Sequence, residues 1–425
     1  MEIQIPKTTA YRALLVATLA FAANFSVWVL FAVLGIELQH SLDLSVTELG
    51  LLLSSPMLSG ALLRLPVGIL CESFSAKRIF IAQMLLLLPP LLMLDRATEY
   101  HEYLWIGLFL GISGVSFTIG IRYVVDWFES KHQGAAMGVF GAGNAGAAIT
   151  LILAPFLIEH FGTNHLGLFY AGGMMLVIML FGFLAPIPPK YIALKRKAPW
   201  QAQLEPLKKL RVWRFGLYYY FVFGSFLALT LWLPQYYVSA YQLPMTQAMA
   251  LTLLYVASSS LVRAAGGWLA DRYGARAVNW SVFWVCLVCL FFLSYPPTSM
   301  VIEGVEKDVT IQIKVNVWLF TVLIFIIGIA QGFGRASVYK AIYEFYPNNM
   351  GSVGGAVAMV GALGGCTLPL LFGVVVDWVG VYSASFMLLY GVLAGCMLLM
   401  YIANQNEQHQ RRVQQAIDNN FLERD

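Results

Sequence analysis

Charge is what this 425-residue chain has little of: Asp, Glu, Lys and Arg together make up 11% of it, against 59% hydrophobic residues and a mean hydropathy of +0.73. Soluble domains carry about 25% charged residues, so a soluble fold is excluded and a polytopic membrane protein is expected. The five cysteines (Cys71, Cys286, Cys289, Cys366, Cys396) all stand within or at the ends of apolar runs, which excludes a disulfide framework. The CxxC of Cys286 and Cys289 lies in WVCLVCLFF and reads as two ordinary apolar side chains. Titratable groups are scarcer still inside the apolar runs. None of the six histidines (His40, His101, His132, His160, His165, His409) falls within one, and Glu37 and Asp126 stand only at edges. Nothing there makes a nucleophile and base pair, a metal-ligand cluster or a cofactor box, so neither an embedded enzyme nor a cofactor is expected.

What the chain does have is long apolar runs. About 20 such residues cross the hydrocarbon core, and the first run, after a charged preamble ending at Arg12, extends to about Leu38 without a signal-peptide pattern. Further spans are expected near 46–71, 79–95, 103–126, 134–158 and 165–186, then near 213–239, 246–270, 277–296, 315–340, 351–376 and 382–403. The expected fold is therefore all-α with twelve transmembrane helices. Its domains are a six-helix half over 1–189, a basic linker over 190–212, a second half over 213–403 and a tail over 404–425.

Lysine and arginine set the orientation. With both termini in the cytoplasm, cytoplasmic segments carry nineteen of the 26, the other side three (Arg96, Lys307, Lys314), and the spans four (Arg64, Arg122, Arg263, Arg335). The linker from Lys190 to Arg214 alone holds eight. The net charge of +4 is thus a topology signal, and a nucleic-acid partner is not expected. The partner surface is the lipid bilayer of a cell membrane.

One stretch, GAAMGVFGAGNAGAAITLILAP from Gly134 to Pro155, combines glycine, alanine and the single amide Asn144. Its GxGxxG at Gly141, Gly143 and Gly146 lacks the strand and acidic residue of a dinucleotide site. In a bilayer such a helix packs closely, and Gly134, Gly138, Gly141, Ala145 and Ala148 are expected to form its smooth face. Asn144 would be costly to leave unpaired.

The two halves repeat each other. Arg64 is followed by Gly68 and Glu72, and Arg263 by Gly267 and Asp271 at the same spacing, each set succeeded by basic residues (Lys77 and Arg78; Arg272 and Arg276). Internal repeats in a twelve-span protein point to a secondary transporter with its site between the halves. Arg64 and Arg263 lie about 12 Å inside the membrane from Glu72 and Asp271, at about 1.5 Å per residue. A guanidinium stays charged, and no carboxylate within two turns neutralises either. One such arginine is commonly an interhelical contact; two in matched positions favour a site for a small anion. Arg122 has Asp126 four residues on, and Lys340 has Glu344, so both read as structural or gating pairs. Arg335, in GFGRAS, has no such neighbour and ranks behind the matched pair.

GWLADRYGAR, from Gly267 to Arg276, resembles the cytoplasmic loop motif of the major facilitator superfamily; GILCESFSAKR departs from it by using Glu72 and lacking the later glycine. GVFGAGNAGAA resembles the span-five signature of the nitrate/nitrite porter family, and GSVGGAVAMVGALGGCTLPLLFG from Gly351 is similar to its second copy. FGSFLALTLWLPQYY and GFGRASVYK also resemble family segments, so the likeness covers nearly the whole chain. It implies alternating access by two rocking halves and a monomeric carrier of nitrate, nitrite or both. Arg64 and Arg263 match the substrate-binding arginines, Asn144 the signature amide, and Phe117 and Phe223 the aromatics that sandwich the planar anion. Tyr219, one turn before Phe223, and Gly141 complete the implied site. Glu72, Asp271, Arg272, Arg122, Asp126, Arg335 and Lys340 are implied gating or structural residues. The chain departs from the pattern at Cys366, where a bulky apolar residue is commoner, and at Arg335, where lysine is. Another small anion, and a transport-dead sensor, are the competing readings.

Coupling is read two ways. Two unpaired arginines make an empty carrier reluctant to close, which argues for nitrate/nitrite exchange. The WLPQYY and VYK segments resemble instead the branch thought to run as a proton symporter, and on that likeness proton-coupled uptake is slightly favoured.

Overall fold

The computed structural model describes residues 6–128, 130–187, 205–302, 309–346 and 350–422. Among them the expected apolar runs are helical. Spans 1 to 6 are Lys7–Ser41, Val46–Gly68, Ala76–Leu94, Tyr100–Val124, Ala136–Phe161 and Thr163–Leu184. Spans 7 to 12 are Leu210–Tyr241, the pair Met245–Leu261 and Ala265–Tyr273, Ala275–Ser294, Val317–Phe345, Ser352–Val379 and Ala384–Asn406. The pair making span 8 bends by 46° at its break.

Local chemistry ends these helices. The Ser45 hydroxyl accepts from the Glu48 N–H at 3.2 Å while the Glu48 carboxylate accepts from the Ser45 N–H at 2.9 Å, a reciprocal cap at the start of span 2. Asn316 Oδ1 caps span 10 by accepting from Leu319 N–H at 2.8 Å. Gly274 turns the chain between spans 8 and 9 at φ +83°, a conformation that an L side chain resists. Large apolar side chains such as Trp105, Phe183 and Trp378 face outward, an unfavourable surface in water that matches a lipid environment.

The halves pack along spans 2 and 11. Gly50 lies so close to the Pro369 carbonyl that an added Cβ would stand 2.6 Å from its oxygen. Ser54 donates from its hydroxyl to the Cys366 carbonyl nearby. Toward the end opposite the chain termini, Asp377 Oδ2 accepts from the Thr47 N–H at 2.7 Å and from its hydroxyl at 2.5 Å.

The structure corrects several expectations. The segment between spans 9 and 10 is partly a β-hairpin, with β1 (Thr298–Ile302) antiparallel to β2 (Val309–Ile313); a search for 20-residue apolar runs passes over such short strands. The helix of span 12 runs on past the span into the expected tail, unbroken as Ala384–Leu422. Residues 190–204 of the expected linker lie outside the described residues, and span 7 begins by Leu210. The close-packed face of span 5 is also different. A Cβ on Gly146 would meet the Ala22 carbonyl oxygen at 1.9 Å and one on Gly143 the Phe21 ring at 2.5 Å, whereas one on Gly138 would meet nothing within 4 Å. Gly143 and Gly146, three residues apart, share a side of the helix that meets span 1, and a 3₁₀ turn runs over Ala142–Ala145.

Candidate functional site

Helix irregularities position the site. Arg64 opens a new helical segment, Arg64–Ser73, because Pro66 cannot donate a backbone bond to the preceding turn. Arg263 likewise opens Arg263–Tyr273, immediately after the break in span 8. The residues before them, Leu63 and Val262, share one conformation (φ −73°, ψ −13° and φ −73°, ψ −7°). Span 4 tightens to a 3₁₀ turn at Gly111–Val115 just before Phe117, and Asn144 lies within the 3₁₀ turn of span 5. Span 7 widens to a π-helical turn at Tyr220–Gly224, between Tyr219 and the end of its aromatic pair. Such departures inside a helix re-aim side chains and concentrate at functional sites.

Three arginines converge there: Arg64 is 1% exposed, Arg263 7% and Arg335 0%. They are the only charged side chains buried among the described residues; no carboxylate joins them. Arg64 Nε donates to the Gly114 carbonyl at 3.2 Å, and its Nη1 crosses to the other half to donate to the Ala358 carbonyl at 3.0 Å. Its guanidinium carbon lies 5.1 Å from the Trp28 ring centroid, 5.5 Å from that of Phe223 and 5.9 Å from that of Phe117. Tyr219 stacks on Phe223 at 5.1 Å. Tyr339 meets both Tyr219 (5.1 Å) and Phe117 (6.4 Å) edge to face.

Arg263 also approaches the Phe117 ring, its guanidinium carbon 5.5 Å from the centroid. Gly141 explains how it reaches span 5, since a Cβ there would stand 2.9 Å from both Cζ and Nη1 of Arg263. Asn144 faces two guanidiniums that can only donate, which fixes the amide with its oxygen toward them. So turned, it accepts from Arg263 Nη1 at 3.1 Å and from Arg335 Nη1 at 3.0 Å. Arg335 is anchored in turn by Ser259, donating from Nη2 to its carbonyl at 2.5 Å and its hydroxyl at 2.7 Å. The Phe226 ring lies 4.0 Å beneath its guanidinium carbon.

The structure thus brings together Arg64, Arg263, Asn144, Gly141, Phe117, Phe223 and Tyr219. It also moves Arg335 from the gating group into this cluster: its partners are interhelical, so a search for local i,i+4 carboxylates could not find them. Trp28, Ser259 and Phe226 were missed because single residues in apolar runs carry no signal, and the carbonyls of Gly114 and Ala358 leave none in any sequence. Tyr339 was findable, standing four residues after Arg335 on one helix.

The other gating residues lie apart from the cluster. Arg122 Nη1 donates to Asp126 at 2.7 Å. Lys340 pairs directly with Asp271 at 2.5 Å, which span 8 brings to the end of span 10, with Glu344, the partner its spacing suggested, adding to the field at the ammonium. Arg272 lies over Trp268 (5.5 Å) and Tyr273 (5.6 Å) of its own helix. The side chain of Glu72 lies outside the described residues.

Chemically, the cluster is a buried, aromatic-walled set of fixed cations. Three buried donors in it have no hydrogen-bond partner among the described residues: Arg64 Nη2, Arg335 Nε and Tyr219 Oη. Buried donors of this kind call for an acceptor, and guanidinium forks match oxyanions. Fold and site together define a multi-pass carrier with a cation-lined site between two six-helix halves.

Comparison with known proteins sharpens that class. Residues 16–305 match the Major Facilitator Superfamily model. A "Probable nitrate/nitrite antiporter NarK1" of Thermus thermophilus is 36% identical over 416 residues, covering 94% of each chain. A "Nitrite extrusion protein" of Bacillus subtilis (strain 168) is 28% identical, covering 94% of this chain and 97% of its own. Among solved structures, a bacterial homologue of the lysosomal transporter Spinster, inward-facing and occupied, superposes with a TM-score of 0.69 at 14% identity, covering 92% of this chain and 96% of that one. A point mutant of the nucleoside transporter NupG does so at 0.66 and 16%, covering 92% and 99%; at such identities these show the fold alone. The chain belongs to the major facilitator superfamily and, within it, to the nitrate/nitrite porter family. It is a membrane transporter and not an enzyme.

Proposed function

We propose that this protein carries nitrate and nitrite across a cell membrane by alternating access, and that it runs as a nitrate/nitrite exchanger. The observation that carries the reading is the charge of the site: among the described residues, three buried arginines, two of them with a donor that has no partner, and no buried carboxylate. A small planar oxyanion takes bidentate hydrogen bonds from such forks, and the faces of Phe117 and Phe223 suit a weakly hydrated plane. The names of the relatives, nitrate/nitrite antiporter and nitrite extrusion protein, point to the same substrates.

Exchange is favoured over proton symport on physical grounds. Closing the halves over unneutralised guanidiniums is costly in a low-dielectric site, so an anion should accompany each crossing. Arginine does not release its proton at accessible pH, so the cluster has no proton carrier. Bringing a monovalent anion into an inside-negative cell costs about 2.3 kcal/mol per 100 mV, which exchange of one such anion for another cancels. The lysine and arginine asymmetry supports cytoplasmic termini, and the site lies within one chain, which supports a functional monomer.

The test uses proteoliposomes. Counterflow uptake of labelled nitrate, competed by nitrite but not by chloride or formate, is expected. Uptake only after preloading with nitrite or nitrate is the signature of exchange; accumulation into anion-free vesicles under an inward proton gradient would replace it with symport. Competition by chloride or formate equal to that by nitrite would shift the assignment to another small anion.

A further inference from the structure

We propose that Arg335 is a specificity-determining residue of this carrier, one that holds the Asn144 amide so that the site refuses bicarbonate while accepting nitrate. The inference rests on the transport reading above. Bicarbonate is the demanding competitor, because it is planar, trigonal and monovalent like nitrate. It differs in carrying one O–H, which must find an acceptor when buried.

An amide oxygen has two lone pairs. Asn144 commits both, one to Arg263 Nη1 at 3.1 Å and one to Arg335 Nη1 at 3.0 Å. What the side chain has left is its NH₂ group, a pure donor. The arginines are donors only, and the carbonyls of Gly114 and Ala358 lie within helical turns and accept from Arg64 besides. The Tyr219 hydroxyl is the remaining acceptor on an implied site side chain, and its own proton is unplaced on any protein partner. A fully deprotonated oxyanion is satisfied by such a surface, whereas a ligand with an O–H is left the Tyr219 hydroxyl as its one acceptor among the implied site side chains.

Arg335 is built to enforce this. Its Nη2 is held by the Ser259 carbonyl and hydroxyl, and its plane rests 4.0 Å from Phe226, so Nη1 is aimed at the amide by contacts independent of any ligand. With Arg335 removed, Arg263 alone engages the oxygen, one lone pair is freed, and the amide can receive the bicarbonate proton. Sites that bury hydrogen-bonding groups discriminate steeply against ligands that leave them unpaired.

The experiment is counterflow of labelled nitrate in proteoliposomes at mildly alkaline pH, with nitrite and bicarbonate as competitors. In the wild type nitrite should compete and bicarbonate should not. In Arg335→Met, whose apolar side chain suits the Phe226 face, bicarbonate should become about tenfold more effective relative to nitrite. Ser259→Ala removes only the hydroxyl anchor and should shift the same ratio in the same direction by a smaller factor, which keeps the test alive if Arg335→Met fails to fold. Tyr219→Phe should leave bicarbonate excluded. Wild-type competition by bicarbonate equal to that by nitrite, or an unchanged ratio in Arg335→Met and Ser259→Ala, overturns the proposal. Absence of nitrate and nitrite counterflow in the wild type would instead overturn the transport reading beneath it.

Discussion

Arg64 of the first half donates to the Ala358 carbonyl of the second, and the register of that contact is repeated by its counterpart. Ala358 stands eleven residues before Pro369 (369 less 358), and Asn144, which accepts from Arg263, stands eleven before Pro155 (155 less 144). Each arginine therefore reaches across to the same level of the glycine-rich span in the opposite half. The internal repeat thus becomes a reciprocal clasp, in which both halves contribute a cation and both present an acceptor.

The first expected outcome follows from the fork geometry. Lysine at position 64 keeps the charge but cannot donate to Gly114 and Ala358 together or stack among Trp28, Phe117 and Phe223. Hydrogen bonds to charged groups contribute about 1.5–3 kcal/mol each, so Arg64→Lys and Arg263→Lys should each lower nitrate counterflow by roughly one to two orders of magnitude. Near-normal uptake by both variants would exclude the anion clamp.

Asn144 gives a test with opposite signs on stability and transport. Asn144→Asp replaces a shared amide oxygen by a carboxylate between two buried guanidiniums, and a buried opposite charge within contact distance should strengthen the cluster. Thermal unfolding in detergent should move upward while nitrate binding is lost, because the fixed anion competes with the mobile one. A variant that binds nitrate normally would place the anion away from Asn144. By the same logic Asn144→Ala leaves two cations facing each other without an acceptor, so it should both weaken binding and lower stability by about 1–3 kcal/mol.

Three glycines of one helix should behave in three ways when changed to alanine. Gly146→Ala puts a Cβ 1.9 Å from a backbone oxygen of span 1, which cannot yield cheaply, so folded protein should fall sharply. Gly141→Ala instead displaces the flexible end of Arg263 and should reduce transport in a protein that still folds. Gly138→Ala meets open space and should leave both intact. Yield by fluorescence-detected size exclusion, read beside counterflow, separates the three.

These contrasts also show what the sequence could and could not reveal. The spans were legible because hydropathy over 20 residues is a large, additive signal, and Arg64 and Arg263 because a charge inside such a run is costly. Which glycines pack was not legible: spacing groups Gly143 with Gly146 and Gly138 with Gly141, but does not say which group meets span 1. Arg335 was undervalued for a related reason. Its partners Ser259 and Asn144 lie 76 and 191 positions away (335 less 259; 335 less 144), beyond any local pairing rule.

The last prediction concerns how the halves part. At the end opposite the chain termini, one carboxylate oxygen of Asp377 accepts two bonds from Thr47, in the first turn of span 2. A carboxylate at a helix N-terminus also gains from the helix dipole, and here the helix belongs to the other half, so the contact closes that end of the interface. Asp377→Asn removes the charge while keeping a side-chain acceptor of similar size. Contacts of this exposed type are worth about 0.5–1 kcal/mol, which shifts the open-to-closed equilibrium constant by a factor of about two to five. The reporter is Ser54→Cys, a near-isosteric change deeper in the same interface, in a background whose five native cysteines are replaced by alanine. Its thiol should react faster with a membrane-impermeant reagent added from that end when Asp377→Asn is present than when Asp377 is intact. Thr47→Val, which removes the hydroxyl donor but keeps the backbone N–H, should give a smaller acceleration. Equal labelling rates in all three would mean that closure is carried by the packing of spans 2 and 11 alone.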